Sequence, residues 1–537
     1  MNTRKDINWH MLFWIGLGIV MLLRVFHFGF TYFNYLDDNN TYGVFYRRNA
    51  DIWNDIILWY GLYTFRPIAF FADAYITQWF WPRMELVLLF YTVMSFGTLY
   101  LFKEVLRKSG MSFGAAGLIV LALVPLNIEA IYWIGASTRF VPGMFFAILS
   151  CYMLIRFLEE GRRRKNSLFI MYFAFNVIAH GFYEQIIVFN FVFTLLIIML
   201  HYQSLGFDKV KVIVTPFISF FIIVAYYLAF WNHGKVASRG AIVSDGFVSH
   251  FTNAAGNIWR LVTTRNLDMI NTGVFGFFRI EINVFRVLAI ILVLVFAIIC
   301  LFKITSGEEE SDIPYVKLIV GIVLAIAPFA PFFVLQDNFM AFRNVYPSVF
   351  GIAIIIDVIV ELISGKRVGR MLSGVMTAIV TIVFFLASVT EINNYRLIEI
   401  DDHIIAANFL EEFSRTGYSD EAQIIVLNSK LLFTETSRDG FENISSSDWA
   451  FLGMLNAHSD TYSFRRVFPV IEQWGFPKEL LSDGTLLLGM DCSMGVHRVT
   501  AVRSGNRIML LDDFGIIFGR LESNAYGDRY MFVQSSP

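Results

Sequence analysis

Charge is what this chain has least of. Only 16% of its 537 residues are charged while 56% are hydrophobic, against about 25% charged in an ordinary soluble domain, so a water-soluble globule is excluded. The few charges nearly cancel, to a formal net of −2. The basic surface that drives binding to phosphate backbones is missing, and no nucleic-acid partner is expected. Cysteine is almost absent: Cys151, Cys300 and Cys492 are too few and too scattered for a disulfide framework. There is no Walker loop and no dinucleotide fingerprint, no ligand spacing of a metal site and no tandem repeat. Neither a metal nor a cofactor is expected.

What is present instead is a series of long apolar runs. A bilayer core of roughly 30 Å needs about 20 helical residues, and eleven such runs are expected to span. They lie near 11–33, 84–102, 112–131, 139–157, 167–179, 185–203, 212–231, 284–303, 315–335, 345–363 and 371–391. Lysine and arginine collect in alternate short loops. Arg4 and Lys5, Lys103, Arg107 and Lys108, Arg162 to Lys165, Lys209 and Lys211, Lys303 and Lys317, and Lys366 to Arg370 all fall on one side. The positive-inside rule makes that side cytoplasmic. The amino terminus is then inside and the carboxy terminus outside. The first run is followed by no small-residue cleavage site and is expected to remain as an anchor.

The outer side carries the longer connections. Residues 34–83 read as amphipathic, with Ile52, Ile56, Trp59 and Tyr60 on one helical face and Ile68, Phe71, Ala72 and Tyr75 on another, a pattern suited to helices lying in the interface. Residues 232–283 are basic, with Lys235, Arg239, Arg260, Arg265 and Arg279; an anionic ligand nearby and a solvated loop both account for that. Past Thr390 the apolar runs stop, so residues 1–391 are expected to form the membrane module and 392–537 a separate extracytoplasmic domain. An amphipathic helix to about Phe413, a buried strand Ile424-Ile425-Val426-Leu427 and several short strands toward the end of the chain mark that domain as small and α+β.

Candidate chemistry gathers at the outer turns. Asp37 and Asp38 follow the first span directly; Arg66 lies in the same loop; Glu129 and Arg139 occupy the next outer turn, Glu184 another, Asp337 and Arg343 a later one. Adjacent carboxylates at a helix mouth can be an interfacial polar pair and nothing more. Carboxylate with arginine is also the set a transferase uses on a phosphate-linked substrate, since the guanidinium fork binds phosphate oxygens and an aspartate accepts a hydroxyl proton. Arg24 and His27, within the first span, suit snorkelling or an ion pair better than ligand contact.

The series Leu36-Asp37-Asp38, Asn49-x-Asp51-Ile52, Phe65-Arg66-Pro67-Ile68, Ile128-Glu129-Ala130-x-x-Trp133-Ile134-x-x-x-x-Arg139-Phe140, Tyr183-Glu184-Gln185 and Phe342-Arg343-Asn344-Val345-Tyr346-Pro347 resembles the GT-C superfamily of polyprenyl-phosphate-sugar-dependent glycosyltransferases. It looks most like the branch holding the protein O-mannosyltransferases and their bacterial relatives, over residues 10–350. The resemblance implies a metal-independent, inverting transfer of one sugar from a polyprenyl phosphate to an acceptor hydroxyl on a cell-surface glycan or polymer, at the outer face of the plasma (inner) membrane. It implies Asp37 as the base, with Asp38 orienting it or the acceptor, and Arg343, with Arg139 and Arg66, on the donor phosphate. Glu184 lacks the lysine that precedes its counterpart in many relatives, which favours a structural ion pair there.

Two other functions stay open. A surface-polysaccharide polymerase or ligase using lipid diphosphate-linked oligosaccharide also has many spans and basic outer loops, although the early Asp37-Asp38 and Arg66-Pro67 arrangement argues against it. A lipid-linked sugar transporter or flippase would instead place polar residues near the midplane and show internal repeats.

Overall fold

The computed structural model describes residues 8–44, 46, 66–159, 165–203, 208–230, 246–281, 283–305, 313–335, 340–364, 367–427, 447–459, 461–470, 476–482, 484–491, 494–504, 507–512, 515–523 and 528–534. The amphipathic helix expected over 52–60, the motif at Asn49 to Ile52, and Asp337, Lys235, Arg239 and Cys492 lie outside these residues. The described chain is mostly helical and divides into two compact units. One comprises Met1–Tyr32, Trp53–Asp73 and Arg83–Ile392; the other comprises Phe33–Ile52, Ala74–Pro82 and Asn393–Pro537.

Among the described residues each of the eleven apolar segments lies mainly on one or more helices, the open-chain form that satisfies every backbone group in lipid. Among the described residues seven helices are long and apolar enough to cross a membrane, or eight if the bent pair Ala115–Leu123 and Pro125–Tyr132 is one span. Trp9–Val25, Lys165–His180 and Glu184–Leu200 have only 16 or 17 residues. Among the described residues, length and composition therefore support seven or eight of the eleven spans expected.

The 45° bend in the pair has a local cause. Pro125 has no N–H to continue the ladder and pushes Val124 out of the helical region, to φ −54° and ψ 130°. The chain restarts as the short helix Ile128–Tyr132, which carries Glu129. The last span belongs to the helix Arg367–Thr416, whose 50 residues reach about 75 Å at 1.5 Å each, more than twice a hydrocarbon core of about 30 Å. Its apolar part ends at Thr390; the remainder carries Glu391, Arg396, Glu399, Asp401 and Asp402.

Within the first unit a charged knot ties three helices together. Lys317, with no exposed surface, donates to Asp357 at 2.7 Å and to Glu361 at 2.8 Å. Asp357 also accepts the backbone N–H groups of Gly114 at 3.0 and 3.1 Å and of Gly117 at 3.2 Å, capping the helix Ala115–Leu123 from a neighbouring helix. Buried charge is tolerable only when paired and hydrogen-bonded throughout in this way. Lys317, counted from sequence as flanking a loop, is thus a buried residue near the start of its helix.

The second unit holds an eight-stranded sheet in the order β2-β1-β4-β5-β6-β7-β8-β3. The strands are β1 Ile424–Leu427, β2 Val467–Val470, β3 Phe476–Pro477, β4 Leu486–Met490, β5 Val496–Ser504, β6 Arg507–Asp512, β7 Ile517–Ser523 and β8 Arg529–Gln534. β1 pairs in parallel with β2 and β4; all other pairs are antiparallel. The parallel β1–β2 pair needs a crossover, and the helix Asp448–His458 lies in that connection. All four residues of β1 are buried, as a continuous apolar run between two parallel neighbours requires. Ile425, Leu427, Val470, Phe476, Leu487, Val499, Leu510, Leu521 and Phe532 form the core of the sheet. The run from β5 to β8 is the antiparallel sheet expected from sequence; the parallel edge is not.

Candidate functional site

Tyr183 is the centre of the polar residues in the first unit. Its ring packs 4.4 Å from that of Phe140, and the Arg66 guanidinium lies 3.9 Å above it. Its hydroxyl accepts from the Asn344 side chain at 3.1 Å. Three turns distant in sequence thereby converge on one aromatic ring. Backbone contacts fix the approach: Ile68 donates to the Gly181 carbonyl at 2.9 Å. A Cβ on Gly181 would come within 2.2 Å of the Ile68 side chain, so only glycine admits the chain there.

Each arginine in this cluster has an acid. Arg66 Nε donates to Glu184 Oε1 at 3.2 Å and its Nη2 to Oε2 at 3.3 Å. Burial disfavours the Arg66 charge, but Glu184 and Tyr183 more than offset it, and the guanidinium's pKa is raised. Arg139 is 3.7 Å from Asp73, with side chains 8% and 2% exposed. Arg343 pairs through Nη1 with Glu129, its backbone N–H donates to the other oxygen of Glu129 at 3.1 Å, and its guanidinium lies 4.9 Å from the Trp133 ring. At 25% side-chain exposure, Arg343 is the most open of the three. It is also held by a carboxylate, its own backbone and a ring, so its orientation is set before any ligand arrives.

The turn carrying Arg343 is itself locked. The Asn344 side chain accepts from the Ala341 N–H at 2.9 Å and donates to Gln185 at 3.2 Å, while Gln185 Nε2 donates to the Asn344 carbonyl at 2.7 Å. Five residues singled out in the sequence, Arg66, Glu129, Arg139, Glu184 and Arg343, therefore belong to one connected cluster with Trp133, Phe140 and Tyr183. Glu184 forms an ion pair. Asp73 was missed: one aspartate in an aromatic stretch carries no local signal, and its partner is 66 positions away. Arg260, from the basic segment 232–283, donates to Asn257 at 3.4 Å on an exposed helix.

The acidic pair belongs to the second unit. Asp38 has no exposed surface; its Oδ2 accepts the Tyr35 N–H at 3.1 Å, and its own N–H donates to the Tyr35 carbonyl at 3.0 Å. These two bonds close a turn across Leu36, which adopts φ +35°. That conformation costs a non-glycine residue on the order of 1–3 kcal/mol and persists only where its surroundings impose it. Asp37, its neighbour in the same turn, is partly exposed. The two aspartates thus differ in burial, with Asp38 closing the loop. The chain then enters the π-helical turn Asn39–Val44.

No family model matches this chain, and no curated protein matches it. Among solved structures it is similar to the crystal structure of ArnT from Cupriavidus metallidurans bound to undecaprenyl phosphate, at 11% identity over 91% of this chain and 94% of that one, with a TM-score of 0.39. A likeness that slight assigns no function.

Proposed function

We propose that the protein is an integral-membrane glycosyltransferase of the GT-C type, moving one sugar from a polyprenyl phosphate to an acceptor hydroxyl. The observation that carries this is the Arg66–Glu184, Arg139–Asp73 and Arg343–Glu129 cluster built around Tyr183, because its turns are those whose motifs resemble that superfamily. The apolar runs and the one-sided lysines and arginines extend the proposal to an eleven-span topology with the amino terminus in the cytoplasm, and the resemblance extends it to transfer at the outer face of the plasma membrane and to the O-mannosyltransferase-like branch.

In this mechanism the acceptor oxygen attacks the anomeric carbon from the face opposite the phosphate. The carbon–oxygen bond to phosphate breaks and its electron pair leaves on the phosphate oxygen. The acceptor proton passes to the Asp37 carboxylate, and the anomeric centre inverts. Arg343 meets the charge developing on the departing phosphate, which a pre-oriented guanidinium does without reorganisation. Arg139 and Arg66 support that electrostatic field; Glu129 and Glu184 hold the guanidinium groups, and Asp38 holds the turn. A polyprenyl phosphate is already a good leaving group, so alignment worth about 7–11 kcal/mol and base assistance of roughly 10²- to 10⁴-fold are the contributions required of the protein.

The test is incubation of the purified full chain with a panel of polyprenyl-phosphate hexoses and pentoses and a cell-envelope glycan extract. Release of free polyprenyl phosphate from at least one donor, dependent on acceptor, is expected. Release from none of them, with turnover of a lipid diphosphate-linked oligosaccharide instead, would replace the proposal with a polymerase or ligase.

A further inference from the structure

The stretch that leads into Asp37 is held by the far end of the helix Arg367–Thr416. Glu399 Oε1 accepts the Asn34 backbone N–H at 2.8 Å. Tyr395, one turn earlier and 2% exposed, meets Tyr35 edge to face at 5.1 Å. Residues four apart share a helix face, so one face grips two consecutive residues of the incoming strand. The outgoing side is gripped by the helix Asp448–His458. A Cβ on Gly453 would lie 2.7 Å from Asn40 Cβ, and one on Gly43 would lie 2.7 Å from both Ala457 and Trp81. Contacts this close, made through glycine, leave the turn Asn39–Val44 no room to shift. Leu36, held at positive φ, lies between the two grips.

We infer that Glu399 is a positioning residue for the transfer reaction: by holding the Asn34 N–H it sets the loop that presents Asp37, which makes the C-terminal domain part of the catalytic apparatus. The catalytic half of this inference rests on the assignment of Asp37 as base; the structural half does not. Glu399 touches neither substrate nor the reacting atoms in this scheme. Its effect is transmitted through the backbone of residues 34–37.

The inference is tested on the full-length protein in detergent by hydrogen–deuterium exchange and by turnover of a polyprenyl-phosphate sugar. Glu399→Ala is expected to raise exchange in the 33–38 peptide by about tenfold, the loss of one buried hydrogen bond, while exchange in β4 and β5 stays as in wild type. Glu399→Gln, whose amide oxygen accepts the same N–H, is expected to restore protection. If Glu399→Ala does not fold, Glu399→Asp withdraws the oxygen by one methylene and is expected to show the same local rise. In turnover, Glu399→Ala is expected to lower kcat about tenfold with the donor KM within about twofold, and Glu399→Gln to recover most of it. Unchanged exchange at 33–38 in the alanine variant overturns the positioning role, as does an equal kcat loss in the alanine and glutamine variants. Wild-type turnover by Asp37→Asn overturns the base assignment, and with it the catalytic role of Glu399, while the exchange result still decides whether Glu399 holds the loop.

Discussion

The arginine cluster of the helical unit and the acidic turn of the C-terminal unit use charge in opposite ways. In the cluster every guanidinium is matched by a carboxylate and most also rest on an aromatic ring, as Arg66 does on Tyr183 and Arg343 on Trp133. The three arginines and three acids cancel, so the cluster can be largely buried. The acidic turn instead buries one carboxylate to shape the backbone and leaves its neighbour partly exposed, with Leu36 in a costly conformation between Tyr35 and Asp38. In the reaction proposed above, the phosphate-binding groups gain from being fixed and neutralised in advance, whereas the proposed base must be able to take a proton.

Breaking either side should give a different signature. The largest effect is expected at the turn: Asp37→Asn removes the proton acceptor and should lower turnover by roughly 10²- to 10⁴-fold, with melting temperature and membrane insertion as in wild type. In the cluster the largest effect should be on stability. Asp73→Asn strands the Arg139 charge in a site where the pair is 8% and 2% exposed, at a cost of about 3–5 kcal/mol, read as a lower melting temperature in detergent. Replacing both, as Asp73→Leu with Arg139→Met, should recover most of that loss.

A smaller effect should appear with pH. Burial pushes the Glu399 carboxyl up to about 7, against the pull of its hydrogen bonds with Asn34; burial also raises Asp401 on the same helix. The folded pKa of Glu399 exceeds its ordinary value of 4.5. The stability it contributes is therefore complete below about pH 4.5 and is lost as pH rises through about 7. The melting temperature of the wild type should fall more steeply across that window than that of Glu399→Gln, in which Asp401 still titrates.

The two regions also differ in how far they can be read from sequence. Apolar runs mark where the helices lie, because lipid demands that pattern, and the recurrence of an acid or an arginine at the outer turns marks Arg66, Glu129, Arg139, Glu184 and Arg343 as a group. Runs that look equally long end as 16- or 17-residue helices, or bend at Pro125, since hydropathy gives an apolar segment and not the place where a helix stops. The partners of Asp73 and Lys317 escape sequence for a shared reason: a lone charge shows its environment only through partners 66 and 40 positions away. The acidic turn is less legible still. Asp37 and Asp38 stand out as a pair, but their surroundings come from Tyr395, Glu399 and the helix Asp448–His458, more than 350 residues along the chain. No local periodicity records a contact of that range. The parallel pairing of β1 with β2 and β4 escapes sequence for the same reason, whereas the hairpin-linked strands β5 to β8 announce themselves.

The most direct test separates binding from chemistry in one titration. Affinity for a turned-over polyprenyl-phosphate sugar is measured alongside its rate of transfer in wild type, Asp37→Asn and Arg343→Ala. The account predicts that Asp37→Asn binds donor as wild type does yet transfers it roughly 10²- to 10⁴-fold more slowly, and that Arg343→Ala binds donor about tenfold or more weakly, the loss of a charge-assisted contact, with acceptor affinity little changed. Transfer by Asp37→Asn at the wild-type rate, or equal weakening of donor and acceptor in Arg343→Ala, would contradict it.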